Sequence, residues 1–493
     1  MLKPESCRGC PLYNISQSFS VPDGKGTLGV TLVGDKLEHE DAIDSKPFSR
    51  RGRAGSLLEQ AFQRLGYTRS QFKLSTVVAC QPPGNRLENA SFEFDAIRHC
   101  ATHFNRVFSG GSDGSGNRVL LAMGNSTLKA LTGATGSHKE KQSINFLRGF
   151  VMQGPYGLVI PTFHPGFIRA GYMKYFGVFM RDLQRAVDVA QGRFRHRYVD
   201  GYETPKYDTT PSLHDAICYA LKVKDNQNLT VGYDIETPHS SDKDSGEKGQ
   251  TLTMSEEYVG FSDSEPEHTP DLVDTTASVE DAASGPTNGL DSSHILTIQF
   301  ATSATEGICF PWEGKYIEVA KKLLGYANPK MGWNNWGFDD PRLERHGVTF
   351  GGPGTIDLMW KWHHCQPDLE KNLQFAASYC GWPFPWKHLY GKMMSWYGCA
   401  DVAALHHIDD VVSAEMKQRG IYNGWERHVQ GLHHQILNPM VARGYPVDAE
   451  ERIRVGEWLT KEQERLLGEI QLEVPIECGV RSVGPKRKVK GLD

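Results

Sequence analysis

The chain has 493 residues, 39% of them hydrophobic, and a formal net charge of -5. That length is about three typical domains and supplies more than one buried core. No run of roughly 18 apolar residues occurs, which excludes a transmembrane-helix reading. The opening Pro4, Glu5, Cys7 and Arg8 lack the apolar core of a signal peptide, so a soluble, cytoplasmic protein without a membrane partner is expected. Ten cysteines over this length are too sparse for a disulfide scaffold, and the mild acidity gives no global nucleic-acid signal, so charge has to be read locally.

Residues 1 to about 195 contain four short apolar runs, Gly29–Gly34, Leu74–Cys80, Val119–Gly124 and Leu158–Phe163. Each ends in Gly, Pro or polar residues and helical patterns separate them, as in a parallel sheet whose ligand site gathers at the carboxyl ends of its strands. A helical stretch, Tyr175–Ala190, closes this α/β unit, and a linker follows. The next unit opens with a strand pattern at Thr230–Glu236 and is then interrupted by a polar stretch over 238–293, read as a disordered acidic insertion because it has few apolar groups to drive collapse. Strand patterns resume at Ile295–Thr302 and Gly307–Trp312, helical ones at Tyr316–Leu324 and Pro341–His346. From about Ile408 the pattern is mainly helical, ending in a basic tail with Lys486, Arg487, Lys488 and Lys490.

Asp234 and Glu236 lie two apart in a strand pattern, so period-two geometry puts both carboxylates on one face where the strand gives way to a loop. In WNNWGFDDPRL, Asp339 precedes Pro341 at a helix start and brings a third carboxylate. Tyr397 and Asp401 are four apart, one helical turn, and share a face. Two Mg2+ or Mn2+ ions need several hard oxygen ligands to activate a water and stabilise a leaving 3' oxygen, which four converging carboxylates offer, with Tyr397 orienting the water. Taken singly these patterns are more often surface charge or ordinary helix.

The set in this order, the DIET of 234–237, the Asn335 to Asp339 spacing with Phe338 before the aspartate, and YxxxD at 397–401, resembles the proofreading (DnaQ-type) 3'-5' exonucleases. IDLMWKWHHCQPDLEKNLQFAASYCG, followed by Trp386 and Lys387, looks like the exonuclease region of phage family A DNA polymerases, with Asp357 and Leu358 opening a helix that faces the site. LNPMVARGYPVDAEERI is similar to the stretch that leads into the thumb of those polymerases. Only 23 residues follow Ile470, too few for palm and fingers, so a truncated chain or a separate polymerase partner is expected.

Cys7 and Cys10 form a CxxC pair, and Cys80 and Cys100 complete a spacing compatible with a metal cluster, with zinc or simply buried thiols as alternatives. CRGCPLY, KPFSRRGRAGSLLEQAF, TVVACQPPGNR, LLAMGNSTLKALTG and TFHPGFIRAG resemble the family 4 iron-sulfur uracil-DNA glycosylases over residues 1–190. The likeness implies a structural 4Fe-4S cluster on those four cysteines, a stacking ring at Phe48 and an anion-stabilising His164. The first motif reads GDKLEH where the family has a GEAPGE-like loop, leaving Asp35 in place of a glutamate, and Thr76 stands where the family's uracil-reading Asn is. A hydroxyl presents less than an amide's donor and acceptor, so uracil selectivity is expected to suffer. Arg50, Arg51 and Arg53, beside Gly52 and Gly55, are read as phosphate contacts, against a merely solvated basic loop.

The expected organisation is a glycosylase-like parallel-sheet α/β domain (1–197), a linker (198–224), an RNase H-like mixed-sheet exonuclease domain (225–415) and a helical segment (416–493) resembling the start of a family A polymerase domain. The expected function is a metal-dependent 3'-5' exonuclease acting on single-stranded 3' ends of DNA in replication or repair, in a bacterial host if phage-encoded. A non-catalytic DNA-binding or polymerase accessory subunit, and an active uracil-DNA glycosylase, are the alternatives.

Overall fold

The computed structural model describes residues 3–109, 119–199, 202–238, 294–444 and 446–473. The expected insertion beyond residue 238 and the basic tail lie outside them. The chain divides into two compact units, the larger containing the described residues up to Trp425 and the smaller the helical residues from Glu426. Among the described residues no helix is long and apolar enough to cross a membrane.

The first sheet of the larger unit contains β1 (Val30–Gly34), β2 (Lys73–Thr76), β3 (Val119–Met123), β4 (Met152–Gly154) and β5 (Gly157–Thr162), in the order β2-β1-β3-β5-β4. The first four in that order are parallel and β4 is an antiparallel edge. β1 and β3 are buried throughout, as fits strands covered on both faces. The expected run to Cys80 ends as a strand at Thr76, and the three-residue β4 carried no readable alternation.

The second sheet contains β6 (Lys206–Asp208), β7 (Val231–Glu236), β8 (Thr297–Ala301), β9 (Glu306–Pro311), β10 (Lys330–Gly332) and β11 (Thr355–Asp357), ordered β11-β10-β7-β8-β9-β6. β8 runs antiparallel to both β7 and β9, while β10 and β11 run parallel to β7. Residues 198–224, expected as a linker, instead hold β6 and most of helix Leu213–Asp225. That helix starts on a reciprocal Ser212–Asp215 cap and buries Ala216, Ala220 and Val223, spaced four and three apart, in the core of the second sheet.

Helix Met394–Gln418 packs across β7, β8 and β9, and glycines allow the close approach. A Cβ at Gly398 would lie 2.5 Å from the Gln299 side chain, one at Gly307 2.9 Å from the Cys399 side chain, and one at Gly232 3.0 Å from the Val402 carbonyl oxygen. The smaller unit contains the 25-residue helix Ala449–Glu473.

Candidate functional site

Asp234 and Glu236 occupy alternate positions near the end of β7, and the close seat of helix Met394–Gln418 brings Asp401 to them. One carboxylate oxygen from each of Asp234, Glu236 and Asp401 lies within 4.8 Å of the others, the one such group of potential metal ligands among the described residues. Asp339 opens helix Asp339–Arg345 and is buried, its Oδ1 accepting the Ile235 N–H at 3.2 Å. It therefore stands beside the strand that holds Asp234 but outside the tight group.

The adjacent Asp340 is spent on structure. It accepts from the Tyr233 hydroxyl, from the Asn335 amide at 3.1 Å and from the Thr355 hydroxyl at 2.6 Å. Asp357 is a helix cap, its carboxylate accepting from the backbone N–H groups of Asn334 and Met359 at 3.0 Å each.

Tyr397 and Asp401 do share a helix face, and the Lys387 ammonium joins them, donating to the Tyr397 oxygen at 2.6 Å and to Asp401 Oδ2 at 2.7 Å. The Trp386 indole N–H donates to Asp401 Oδ1. In the sequence Lys387 stands only within a likeness; its bond to Asp401 joins residues 14 apart, which neither strand nor helix spacing connects. Burial, then the neighbouring carboxylates, raise the affinity of Asp234 and Glu236 for protons, and burial with Asp234 does the same at Asp339. When ionised, four carboxylates against the single Lys387 cation carry excess negative charge in a desolvated place. The hard-oxygen donors and that charge fit Mg2+ or Mn2+, with Asp234, Glu236 and Asp401 as the set within reach of one ion and Asp339 at its edge.

In the first domain Phe48 and His164 meet, ring centroids 6.0 Å apart. Phe48 is buried with φ +54°, an unusual conformation for a bulky residue. Its ring lies over Gly34, where a Cβ would come within 2.5 Å of it. Gly55 serves packing, since a Cβ there would lie 1.9 Å from the Ser49 carbonyl oxygen. His164 caps the short helix Pro165–Arg169, its Nδ1 accepting from the Gly166 N–H at 3.1 Å, which leaves the proton of a neutral ring on Nε2. Asp35 accepts from the Thr127 N–H at 2.9 Å and hydroxyl at 2.7 Å, and the Thr76 hydroxyl donates its proton to the Val78 carbonyl at 2.9 Å. Glu88, which the sequence did not single out, is hydrogen-bonded by Asn125 at 3.0 Å, and burial, then Asp35, push its carboxyl up to about 7.

Arg50, Arg51 and Arg53 are exposed around the start of helix Arg53–Leu65. Arg50 is paired with Glu59 at 3.1 Å and Arg51 lies 3.8 Å from Asp44. Cys7, Cys10, Cys80 and Cys100 are free thiols close enough that each of the other three raises the Cys100 thiol, after burial, pushing it to about 12.

No protein-family model matches the chain. It is 28% identical over 184 residues to the type-4 uracil-DNA glycosylase of Pyrobaculum aerophilum, covering 36% of this chain and 87% of that protein. It is 27% identical to the type-4 uracil-DNA glycosylases of Sulfurisphaera tokodaii and Saccharolobus solfataricus, each match covering 32% of this chain and 70% of the relative. The N-terminal ~180 residues thus form a uracil-DNA glycosylase-like domain.

Proposed function

We propose that the chain is a metal-dependent 3'-5' exonuclease acting on DNA, with a glycosylase-like domain that engages the same nucleic acid. The observation that carries this reading is the convergence of Asp234, Glu236 and Asp401 within 4.8 Å. Support comes from Asp339 beside them and from the order β9-β8-β7-β10-β11, the arrangement expected of an RNase H-like (DnaQ-type) domain. Two Mg2+ or Mn2+ ions bound there would supply Lewis acidity and neutralise charge at the attacking and leaving oxygens. Lys387 forms a buried, direct ion pair with Asp401 that secures the position of the carboxylate. The Tyr397 oxygen accepts from Lys387, so its own O–H points elsewhere and can donate to a water or a phosphate oxygen.

For the N-terminal domain we propose DNA binding and a 4Fe-4S cluster on Cys7, Cys10, Cys80 and Cys100, with Arg50, Arg51 and Arg53 near the phosphates. A second reading, base excision of altered preference, is favoured by the pairing of Phe48 with a His164 whose Nε2–H is available for a departing base anion. Thr76 weighs against uracil, because its one proton is committed to Val78. The segment from 416, beside its likeness to the start of a polymerase domain, is proposed to meet a separate polymerase.

Full-length protein incubated with Mn2+ and single strands labelled at the 5' end, one set containing uracil, tests both readings. The exonuclease predicts a ladder that shortens from the 3' end and disappears with EDTA. Alkali-sensitive breaks at uracil would establish the glycosylase, and intact strands throughout would refute both activities.

A further inference from the structure

The two sheets of the larger unit are joined by buried, directional contacts. Helix Phe176–Ala190 of the first domain sends Arg185 to the Ser378 carbonyl at 2.7 Å and the Tyr379 carbonyl at 3.0 Å, at the end of helix Leu373–Cys380. Arg148, held by Asp182 at 2.9 Å with both side chains buried, lies 4.8 Å over the Phe375 ring. Gln374 is the direct link to the carboxylates. Its Nε2 donates to the Phe146 carbonyl of the first domain, while its Oε1 accepts from the Lys387 N–H at 2.8 Å and the Trp386 N–H at 3.3 Å. Trp386 and Lys387 are the two residues that grip Asp401.

The segment preceding Phe146 reaches the same place. Over 134–143 the backbone folds on itself, with the Gln142 N–H on the Ser137 carbonyl and the Lys141 N–H on the His138 carbonyl, both at 3.0 Å. The His138 ring packs on Phe146 at 4.9 Å. Lys141 sits at the turn with φ +54°, a conformation that the surrounding bonds impose on a non-glycine residue. Its ammonium lies 5.3 Å from the Tyr390 ring, which packs edge-on against Tyr397 at 5.2 Å. Glu236, Asp401 and Lys387 all lie within electrostatic range of Lys141, whose own affinity for a proton is lowered first by burial and then by Lys387. Among the described residues Lys141 makes no ion pair, in contrast to Lys387.

We propose that the nuclease centre is shared between the domains, the first domain's 134–143 loop delivering Lys141 to bind a backbone phosphate of the DNA 3' end beside the carboxylates. The inference rests on the exonuclease reading. A lysine serves this as a compact point charge able to meet a phosphate oxygen from several directions. Carboxylates that must hold cations repel a polyanion until those cations bind, and an adjacent fixed positive charge offsets that repulsion for the strand. Lys387 is occupied by Asp401 and Tyr397, whereas Lys141 of the first domain brings a further cation to the same place. The glycosylase-like domain then contributes to the nuclease through its placement, whatever its own pocket does.

The test compares full-length wild type with Lys141→Met and Lys141→Arg, in two assays on one 5'-labelled single strand: shortening in Mn2+, and equilibrium binding in Ca2+ over a range of salt. Met keeps the length and the same backbone demand as Lys, so the folding midpoint should not move. Expected for Lys141→Met are a KM raised by about tenfold or more with kcat changed less than about threefold, and a salt slope of binding smaller by about 0.7, one phosphate contact on a single strand. Lys141→Arg should recover most of the loss. A wild type that shortens DNA with Lys141→Met indistinguishable from it overturns the shared site and leaves the nuclease reading standing. A wild type that binds but never shortens DNA, with binding weakened by Lys141→Met, removes the nuclease reading and retains the phosphate contact. A wild type that neither shortens nor binds DNA overturns both.

Discussion

Asp339 and Asp340 are neighbours in sequence with unlike surroundings. Asp340 is tied to Tyr233, Asn335 and Thr355, whereas the hydrogen bond resolved for Asp339 is the Ile235 N–H. Asp340→Asn should therefore destabilise the protein by about 1–3 kcal/mol, since it disturbs a buried network. Asp339→Asn should leave the thermal midpoint unchanged or raised, because it removes a charge from a crowded cluster, yet slow strand shortening by about 100-fold. Thermal melts beside the gel assay separate the two. Glu88 gives a test in the other pocket. Its carboxyl is raised to about 7, so the folded state retains a proton that the unfolded chain loses at lower pH. Stability attached to Glu88 is thus complete below about pH 4.5 and is lost as pH rises through about 7. Glu88→Gln should flatten that decline, and melts across the window check it.

At the scale of elements, the nuclease reading depends on one helix lying close to a sheet. Gly398→Val would drive two methyl groups into Gln299, and the lifted helix would carry Asp401 away from Asp234 and Glu236. A loss of about 1–3 kcal/mol is expected from the overpacking, with strand shortening lost at temperatures where the protein is still folded. The carboxylates were legible in the sequence because period two in a strand and one turn of helix fix relative positions over a few residues. The strands β1, β3, β5, β7, β8 and β9 were legible from apolar runs for the same local reason. What escaped was non-local. β6 is three residues of mixed character and is specified by its partner β9. The role of Gln374 appears only once Phe146 and Lys387 are brought to it. Lys141 lies 246 residues from Lys387 in sequence, and no spacing rule connects them.

For the larger unit as a whole, the buried interface couples the two sheets, and the proposed metal centre would couple stability to cations. Gln374→Leu removes the bonds to Phe146, Trp386 and Lys387 while keeping the volume similar. It should lower the nuclease rate by about tenfold while leaving the Phe48–His164 pocket intact, which paired activity and DNA-binding assays would show. Without cations, the cluster's raised proton affinities mean that ionising Asp234, Glu236 and Asp339 costs stability, so the fold weakens as pH rises through their folded pKa values. Divalent cations require the ionised carboxylates, so their stabilising effect should grow with pH. The most direct measurement is a calorimetric titration of Mn2+ into the full-length chain between about pH 6 and about pH 9, beside the Asp234→Asn, Glu236→Gln double variant. The account predicts that the wild type binds Mn2+ with proton release and with affinity rising with pH, and that the folded double variant loses this binding. Wild-type protein that takes up no Mn2+, or a double variant that binds it equally well, would contradict the assignment of these carboxylates as a metal centre.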